Sequence, residues 1–252
     1  MFFSKKLKKF KQINHCFFSK NGGVSKGIYK SLNCGKGSAD DKKKILQNLS
    51  IVSKKIGVMP KNLKLMHQTH SNRVIVINKK NKNSKIFKSD SLITSIKSLA
   101  IGVVTADCVP IILYDSKNEV IGCVHAGWKG AISGIIEKTI NQIKRLNRDS
   151  KIFACIGPCI GRKSYEVDVN FYRKFLKKSK KNSLYFSKKN KTKKLFNLRK
   201  YVRNKLVKYR VKVDQIYLDT FTEKKYFFSY RRSQKLKEGD YGRNISVITL
   251  KA

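Results

Sequence analysis

Two residues that could do chemistry together, Cys108 and His125, lie at neighbouring ends of two apolar runs. The runs Val109–Tyr114 and Glu119–Val124 are separated by a polar four-residue stretch, 115–118, which is typical of a β-hairpin. If that stretch forms the turn, Cys108 is directly opposite His125. Opposed residues point to the same side of a sheet, with their Cβ atoms about 5 Å apart. The sequence therefore predicts that Cys108 and His125 are neighbours.

A neighbouring cysteine and histidine support two chemistries. One is a thiolate–imidazole pair with Cys108 as nucleophile and His125 as base, which would make the chain a metal-free cysteine hydrolase or deamidase. The other is a metal site, which needs a third ligand. His67 and His70 both lie just before a predicted strand, and their spacing does not choose between them. One cysteine and two histidines have the composition of a catalytic zinc site with one position left open.

Glycines crowd the same end of the predicted hairpin, in the run His125-Ala126-Gly127-Trp128-Lys129-Gly130. A glycine-rich turn from a strand into a helix lets the backbone approach a ligand closely. It also points the N–H groups of the helix start at an anion. An anion is therefore expected beside the Cys108–His125 pair.

Hydrophobic periodicity predicts the elements that must position these residues. Helices are predicted after Asp40-Asp41 as far as Ile56, over 132–146, from Val167-Asp168 onward and over 195–209. Strands are predicted over 73–77, 99–104, 152–156, 216–218 and 245–250, besides the hairpin. Strands and helices do not alternate regularly. The predicted class is α/β or α+β, with mixed sheets flanked by helices.

The chain of 252 residues is long enough for a large buried core, and 40% of it is hydrophobic. We expect one domain over 1–252, with a basic N-terminal segment at 1–16 and a Lys-rich surface loop at 177–194. No apolar run approaches the roughly 20 residues of a membrane span. The basic N-terminus is not followed by the apolar stretch of a secretory signal. Six cysteines are too few for a disulfide scaffold, so a cytoplasmic location is expected.

The net charge of +43 arises from 58 Lys and Arg residues against 15 Asp and Glu residues. Lysine greatly outnumbers arginine, and Asn and Ile are abundant, which is the mixture that AT-rich codons encode. No zinc-finger spacing, helix-turn-helix or RNA-recognition signature is present. A basic nucleic-acid-binding protein is therefore the weakest functional hypothesis, and any such binding is expected to be non-specific.

A series of short motifs in the chain resembles the YfiH/YlmD (DUF152) family, from about residue 17 to 249. The motifs, in order, are Asn21-Gly22-Gly23-Val24-Ser25, Ser31-Leu32-Asn33, Gln68-Thr69-His70, Thr105-Ala106-Asp107-Cys108-Val109-Pro110, His125-Ala126-Gly127-Trp128-Lys129-Gly130, Ile156-Gly157-Pro158-Cys159-Ile160, Tyr165-Glu166-Val167, Phe228-Ser229-Tyr230-Arg231-Arg232 and Gly242-Arg243. Each motif is weak alone, and their number and order make the set specific. This family was once labelled multicopper polyphenol oxidase or laccase. It is now described as purine nucleoside phosphorylases with adenosine deaminase and methylthioadenosine phosphorylase activity.

The resemblance implies a cysteine-hydrolase-like single-domain fold and a zinc-dependent purine nucleoside phosphorylase, whose substrates are purine nucleosides and phosphate. It implies that His70, Cys108 and His125 are the metal ligands, with zinc preferred to copper. A multicopper site needs a Cys and two His for one copper and many more His for a trinuclear cluster, and this chain has four His in all. The laccase label is therefore not expected to describe its chemistry.

The resemblance also suggests residues for substrate. Phosphate-binding candidates are Lys129, Arg231, Arg232 and Arg243, and the candidates for a proton-carrying catalytic residue are Asp107 and Glu166. Lys129 stands where the family usually has Arg, and Leu49 stands where an Asn-Arg pair usually ends. Both changes fall where a phosphate clamp is expected, and Lys lacks the bidentate geometry of Arg.

Overall fold

Two large mixed β-sheets pack face to face in the computed structural model, which describes residues 1–146 and 149–252. The strands are Ile13–Phe17 (β1), Leu63–His67 (β2), Val74–Ile77 (β3), Phe87–Lys88 (β4), Ser91–Thr94 (β5), Ala100–Thr105 (β6), Val109–Asp115 (β7), Val120–Ala126 (β8), Ile152–Ile156 (β9), Glu166–Asp168 (β10), Phe186–Lys188 (β11), Lys193–Phe196 (β12), Lys212–Gln215 (β13) and Asn244–Leu250 (β14). The α-helices are Lys42–Ile56 (α1), Trp128–Ile132 (α2), Ile135–Leu146 (α3), Val169–Lys178 (α4), Leu198–Lys208 (α5) and Tyr230–Lys235 (α6).

The first sheet has the order β1-β14-β6-β2-β4, and the second has the order β13-β9-β7-β8-β5-β3. Both contain parallel and antiparallel pairs. A small third sheet, β10-β12-β11, is entirely antiparallel. The prediction of mixed sheets flanked by helices is confirmed.

Three apolar clusters show that the chain folds in four layers. One cluster lies between the two large sheets and contains Ile101, Ile112 and Ile248. A second joins the outer face of the first sheet to α1. The third joins the outer face of the second sheet to α3 and α5. Strands β7 and β8 are buried at every position because both of their faces are covered.

The β7–β8 hairpin forms as predicted, but its register is shifted. Pro110, not Cys108, is the partner of His125, because the turn begins one residue later than its polarity suggests. Asp115 stays in β7 as a buried residue whose carboxylate accepts hydrogen bonds from the backbone N–H of Lys117 and the side chain of Asn118. Its polar side chain stabilises the turn from within the strand.

Two other sequence predictions are also corrected. The strand predicted at 216–218 lies earlier, at β13, where it pairs in parallel with β9. The helix predicted over 195–209 begins only after Asn197, whose side chain caps it by accepting from Lys200 N. Leu195 belongs to β12 instead.

The segment predicted as a Lys-rich loop, 177–194, has regular structure. It contains the end of α4, a 3₁₀ helix over Lys180–Tyr185, all of β11 and the start of β12. Phe186 and Phe196 stack with ring centroids 4.6 Å apart, and this pairing anchors the hairpin beneath the charged side chains. Within the described residues, no helix is both long and apolar enough to cross a membrane.

Candidate functional site

His70, Cys108 and His125 come together at one end of the β7–β8 hairpin. One ligand atom from each lies within 4.8 Å of the others. Among the described residues, this is the single group of three or more His, Cys, Asp or Glu side chains that is placed to hold a metal ion. Two imidazole nitrogens and one thiolate sulfur fit the donor set of a zinc site with an open position. His67 is exposed and lies outside the group, although it lines the adjoining cleft.

Asp90, which precedes β5, fixes two of the three candidate ligands. Its Oδ1 lies 2.7 Å from His125 Nδ1, so the other ring nitrogen of His125 is left to face a metal. The same carboxylate accepts hydrogen bonds from the backbone N–H groups of His70, at 3.0 Å, and Ser71, at 2.7 Å. Burial alone would raise the pKa of Asp90, but the hydrogen bonds from His125 and from the side chain and backbone of Ser71 lower it overall. Asp90 could not be identified from the sequence, because a lone acid between two serines has no characteristic spacing.

Cys108 reaches the site through a sharp bend between β6 and β7. Asp107 in this bend has a φ of 83°, a left-handed conformation that turns the chain. Its carboxylate accepts hydrogen bonds from Thr220 Oγ1, at 2.6 Å, from Ser229 Oγ, at 2.9 Å, and from the backbone N–H of Arg231, at 2.6 Å. Burial raises the pKa of Asp107, and these three bonds oppose the rise. Asp107 therefore ties the Cys108 bend to the loop that begins α6.

His70 is positioned by its neighbour Gln68. The Gln68 side chain donates to Val104 O at 2.8 Å and accepts from Val104 N at 3.0 Å, which continues the pairing of β2 with β6 beyond the end of β2. The chain then turns at His70, whose φ is 56°. The Gln68-x-His70 spacing thus has a physical basis, since Gln68 binds the sheet and His70 points away from it toward Cys108.

The backbone passes close to the candidate ligands at Gly127. A Cβ atom there would lie 2.7 Å from His70 Nδ1 and 3.0 Å from Cys108 Sγ. Only glycine leaves this space free for the ligand atoms and an ion.

The ring of His125 is held in a strongly polar environment. Burial would lower its pKa, but the charge of Cys108 and the hydrogen bond to Asp90 outweigh burial and raise the pKa of His125 to about 9. Burial and the adjacent His125 lower the pKa of His70. The centroids of the two rings lie 4.7 Å apart. The protonation of one ring therefore changes the protonation of the other.

The candidate ligands separate two cavities. The first has a volume of about 790 Å³ and extends to Lys36, Lys85 and Arg243. The second has a volume of about 400 Å³ and extends to Tyr165 and Phe171. We call them the basic compartment and the aromatic compartment.

Three of the four predicted phosphate-binding residues line these compartments. Lys129 and Arg243 line the basic compartment, and Arg231 lines the aromatic one. Arg232 lines neither. Its guanidinium donates to the carbonyl oxygens of Thr220, Phe221 and Phe227, so three of its N–H donors are already used within the protein.

The remaining predicted positions also have clear places. Glu166 lines the aromatic compartment and makes an ion pair with Lys189. Leu49 is buried between α1 and the first sheet, so the expectation that it stands at a phosphate clamp is wrong. An arginine there would have to reach out of an apolar layer.

Comparison with known proteins places the whole chain in one family. The family described as multi-copper polyphenol oxidoreductase laccase matches residues 14–251. A purine nucleoside phosphorylase of Haemophilus influenzae is 32% identical over 243 residues, which cover 94% of each chain. One from Rickettsia conorii is 36% identical over 190 residues, which cover 74% of this chain and 78% of the relative.

Solved structures give the same result for the fold. Bacillus licheniformis YfiH superposes with a TM-score of 0.90 at 28% identity, over 97% of this chain and 95% of its own. A Neisseria meningitidis protein assigned to DUF152 has a TM-score of 0.85 at 28% identity, over 96% of each chain. The sequence match over nearly the full length and the shared four-layer fold lead to one conclusion: the chain belongs to the YfiH/DUF152 family, whose sequence description is multi-copper polyphenol oxidoreductase laccase.

Proposed function

We propose that this protein is a zinc-dependent purine nucleoside phosphorylase. The observation that carries the proposal is the position of an open Cys-His-His donor set between two cavities with aromatic rings in their walls, one of which is lined by cations and, among its described residues, by no acid. A phosphorylase must hold an anion, a sugar and a flat base around one reacting carbon. Relatives that cover most of this chain are named purine nucleoside phosphorylases, which supports the same activity here.

His70, Cys108 and His125 would hold the metal, with Asp90 orienting His125. A zinc ion held there would supply Lewis-acid charge next to the reacting atoms. A Cys-His-His set also suits a single copper ion, and we prefer zinc because phosphorolysis calls for a Lewis acid that does no redox chemistry. Four histidines in the whole chain are too few for the copper centres that the family description implies.

The chain's own residues would bind and orient the substrates. Cations that line the cleft would hold phosphate as point charges or through guanidinium forks. Aromatic side chains such as Trp128 and Tyr165 would stack against the purine. Glu166 is the better placed of the two acids to carry a proton, because it lies at a cavity wall and is partly exposed. Asp107 is bound by three donors, and we assign it the positioning of Cys108.

Two further activities belong to the same proposal. Adenosine deamination would use the same metal ligands with water in place of phosphate, and Glu166 would carry the proton. Methylthioadenosine phosphorolysis would need only room for a larger 5′ substituent. Incubating the protein with adenosine, inosine, guanosine and methylthioadenosine, with and without phosphate, separates these activities by their products.

Metal analysis combined with a product assay tests the main proposal. The purified protein should contain about one zinc ion per chain and should convert inosine and phosphate to hypoxanthine and ribose 1-phosphate. Cys108→Ala and His70→Ala should lose both zinc and turnover, whereas His67→Ala, which changes an exposed histidine outside the ligand group, should keep its zinc. A chelator should inactivate the wild type, and added zinc should restore it.

A metal-free cysteine hydrolase is the second candidate, because Cys108 and His125 are in contact distance of each other. In that chemistry Cys108 would form a covalent adduct with the substrate, and His70 would have no role. Full activity in chelator, together with a substrate adduct on Cys108 by mass spectrometry, would replace the zinc proposal with this one.

A further inference from the structure

The two compartments differ sharply in charge. The basic compartment is lined by four cations and, among the described residues that form its wall, by no Asp or Glu. Its cations are Lys36, Lys85, Lys129 and Arg243. The aromatic compartment is lined by acids as well as by the cations Lys193 and Arg231, and it has rings in its wall, as the basic compartment also does. Its acids are Asp107, Glu166 and Asp168, and its rings include Trp128, Tyr165, Phe171 and Tyr230.

The compartments meet at the candidate metal ligands. Both are lined by His70, Ala106, Cys108, Trp128 and Tyr230. A molecule that fills both cavities must therefore pass this shared boundary. Any atom placed there lies beside the sulfur of Cys108 and the ring of His70.

We propose that phosphate binds in the basic compartment and that the purine nucleoside binds in the aromatic compartment, with the ribose C1′ atom at their boundary. This inference rests on the proposed phosphorylase function. It assigns Arg231 to the nucleoside, where the family resemblance had suggested phosphate. It also adds Lys36 and Lys85 to the phosphate site.

The chemistry of the reaction requires two opposite compartments. One oxygen of hydrogen phosphate forms a bond to C1′ while the C1′–N9 bond breaks, and that bonding pair leaves with the purine. The proton of hydrogen phosphate is finally carried by the purine, so ribose 1-phosphate and the neutral base are the products. A displacement in one step brings phosphate to the face of C1′ opposite the base. The nucleophile and the leaving group must therefore lie on opposite sides of the boundary.

The basic compartment is built to keep its arginine in place. The Arg243 guanidinium lies 4.1 Å from the Tyr241 ring centroid and donates to Asp240 Oδ1 and Tyr241 O through Nη1. Its side chain packs on Gly35, where a Cβ atom would lie 2.2 Å from Arg243 Cδ. The remaining N–H groups of Arg243 are directed by this packing. A fixed guanidinium loses little entropy when it binds an oxyanion.

The aromatic compartment suits a flat heterocycle beside a sugar. The Trp128 and Phe171 rings lie 4.8 Å apart, and Tyr165 lies 6.1 Å from Phe171. The Arg231 guanidinium lies 5.5 Å from the Tyr165 ring centroid and donates to Glu166 O at 2.8 Å. Carboxylates such as Glu166 accept hydrogen bonds from hydroxyl groups, which a ribose supplies. The same carboxylates disfavour phosphate in this compartment.

Substitution on each side of the boundary tests the assignment through two separate Michaelis constants. The double variant Lys36→Ser/Lys85→Ser should raise KM for phosphate by about a hundred-fold, since two charged contacts are lost and each is worth about ten-fold. It should leave KM for inosine within about two-fold. Arg231→Gln should do the reverse. Lys191→Ser, a lysine at the exposed turn between β11 and β12, is the control and should change neither constant.

A binding measurement separates this inference from the proposed function. Broadening of the ³¹P resonance of inorganic phosphate reports binding without turnover. It should persist in Arg231→Gln and fall strongly in Lys36→Ser/Lys85→Ser. If no nucleoside is cleaved, the phosphorylase proposal fails, and the ³¹P titration still decides where the anion binds. The compartment assignment is overturned if Arg231→Gln, and not the double lysine variant, weakens phosphate binding or raises its KM.

Discussion

Asp90 Oδ1 and His125 Nδ1 lie 2.7 Å apart, and both side chains are almost fully buried. Asp90 also accepts hydrogen bonds from the backbone N–H groups of the loop that carries His70. One carboxylate therefore sets the ring of one candidate ligand and the backbone of another. The separation between His70 and His125 depends on this single side chain.

Asp90→Asn should lower zinc affinity by about 10–100-fold, because the amide supports His125 less well and can no longer accept all of the loop N–H groups. Competition with a chromogenic chelator measures the affinity. Asp149→Asn, which changes an exposed acid far from the site, is the matched control. Unchanged affinity in Asp90→Asn would mean that Asp90 does not support the metal ligands.

Gly127→Ala should abolish metal binding while the fold persists. Gly127 has φ −68° and ψ 162°, which alanine adopts without strain. The effect must then come from the new Cβ atom, which would crowd His70 and Cys108. Bound zinc and the thermal midpoint should be measured together. Gly239→Ala, where a Cβ atom meets nothing within 4 Å, should change neither. A zinc-replete Gly127→Ala protein would contradict the assigned ligand geometry.

Arg232→Lys should destabilise the fold without changing KM for phosphate. A lysine cannot donate to three carbonyl groups in the fork geometry that Arg232 uses. We expect a loss of about 2 kcal/mol in the free energy of unfolding, measured with urea. The exposed substitution Arg173→Lys should cost almost nothing. A higher KM for phosphate at unchanged stability would return Arg232 to the substrate site.

Stability should fall as the pH drops from about 6.5 to about 4, in part because of His15. Burial lowers the pKa of His15 to about 4. The neutral ring accepts a hydrogen bond at Nε2 from the backbone N–H of Ser4, at 2.9 Å. The unfolded chain takes up a proton near pH 6.5 and the folded chain does not, so acid favours unfolding. The loss from this residue is on the order of 3 kcal/mol. His15→Gln should flatten the dependence of unfolding free energy on pH, and the exposed His67→Gln should not.

The sequence predicted that Cys108 and His125 are neighbours by an argument that was right in outcome and wrong in register. Polarity marked Asp115 as a turn residue, but its buried carboxylate stabilises the turn from inside the strand. Cys108 and His125 still meet, because the bend at Asp107 returns Cys108 to the hairpin end. Hydrophobic patterning identifies apolar residues. It cannot predict that a polar side chain is buried because it has hydrogen-bond partners.

Other features depend on contacts between distant segments and were beyond the reach of local patterns. Asp90 acts through residues 19 to 35 positions away. Thr220 and Ser229 meet Asp107 from more than 100 residues away. The hairpin of β11 and β12 within 177–194 could not be predicted from hydrophobic alternation. Apolar residues such as Phe186 are sparse there and are surrounded by lysines.

The pairing of β1 with β14 has a consequence for the order in which the protein folds. Ile13 pairs with Leu250, so this contact closes nearly the whole chain, whereas β7 and β8 are joined by a four-residue turn. Closing a long loop costs more entropy, and contacts between distant residues slow folding. We expect pulse-labelled hydrogen exchange during refolding to protect β7 and β8 before β1 and β14. Cys108 and His125 would then be adjacent early in folding. The His70 loop is held by pairing with β6, so it would complete the ligand set only when the first sheet has formed.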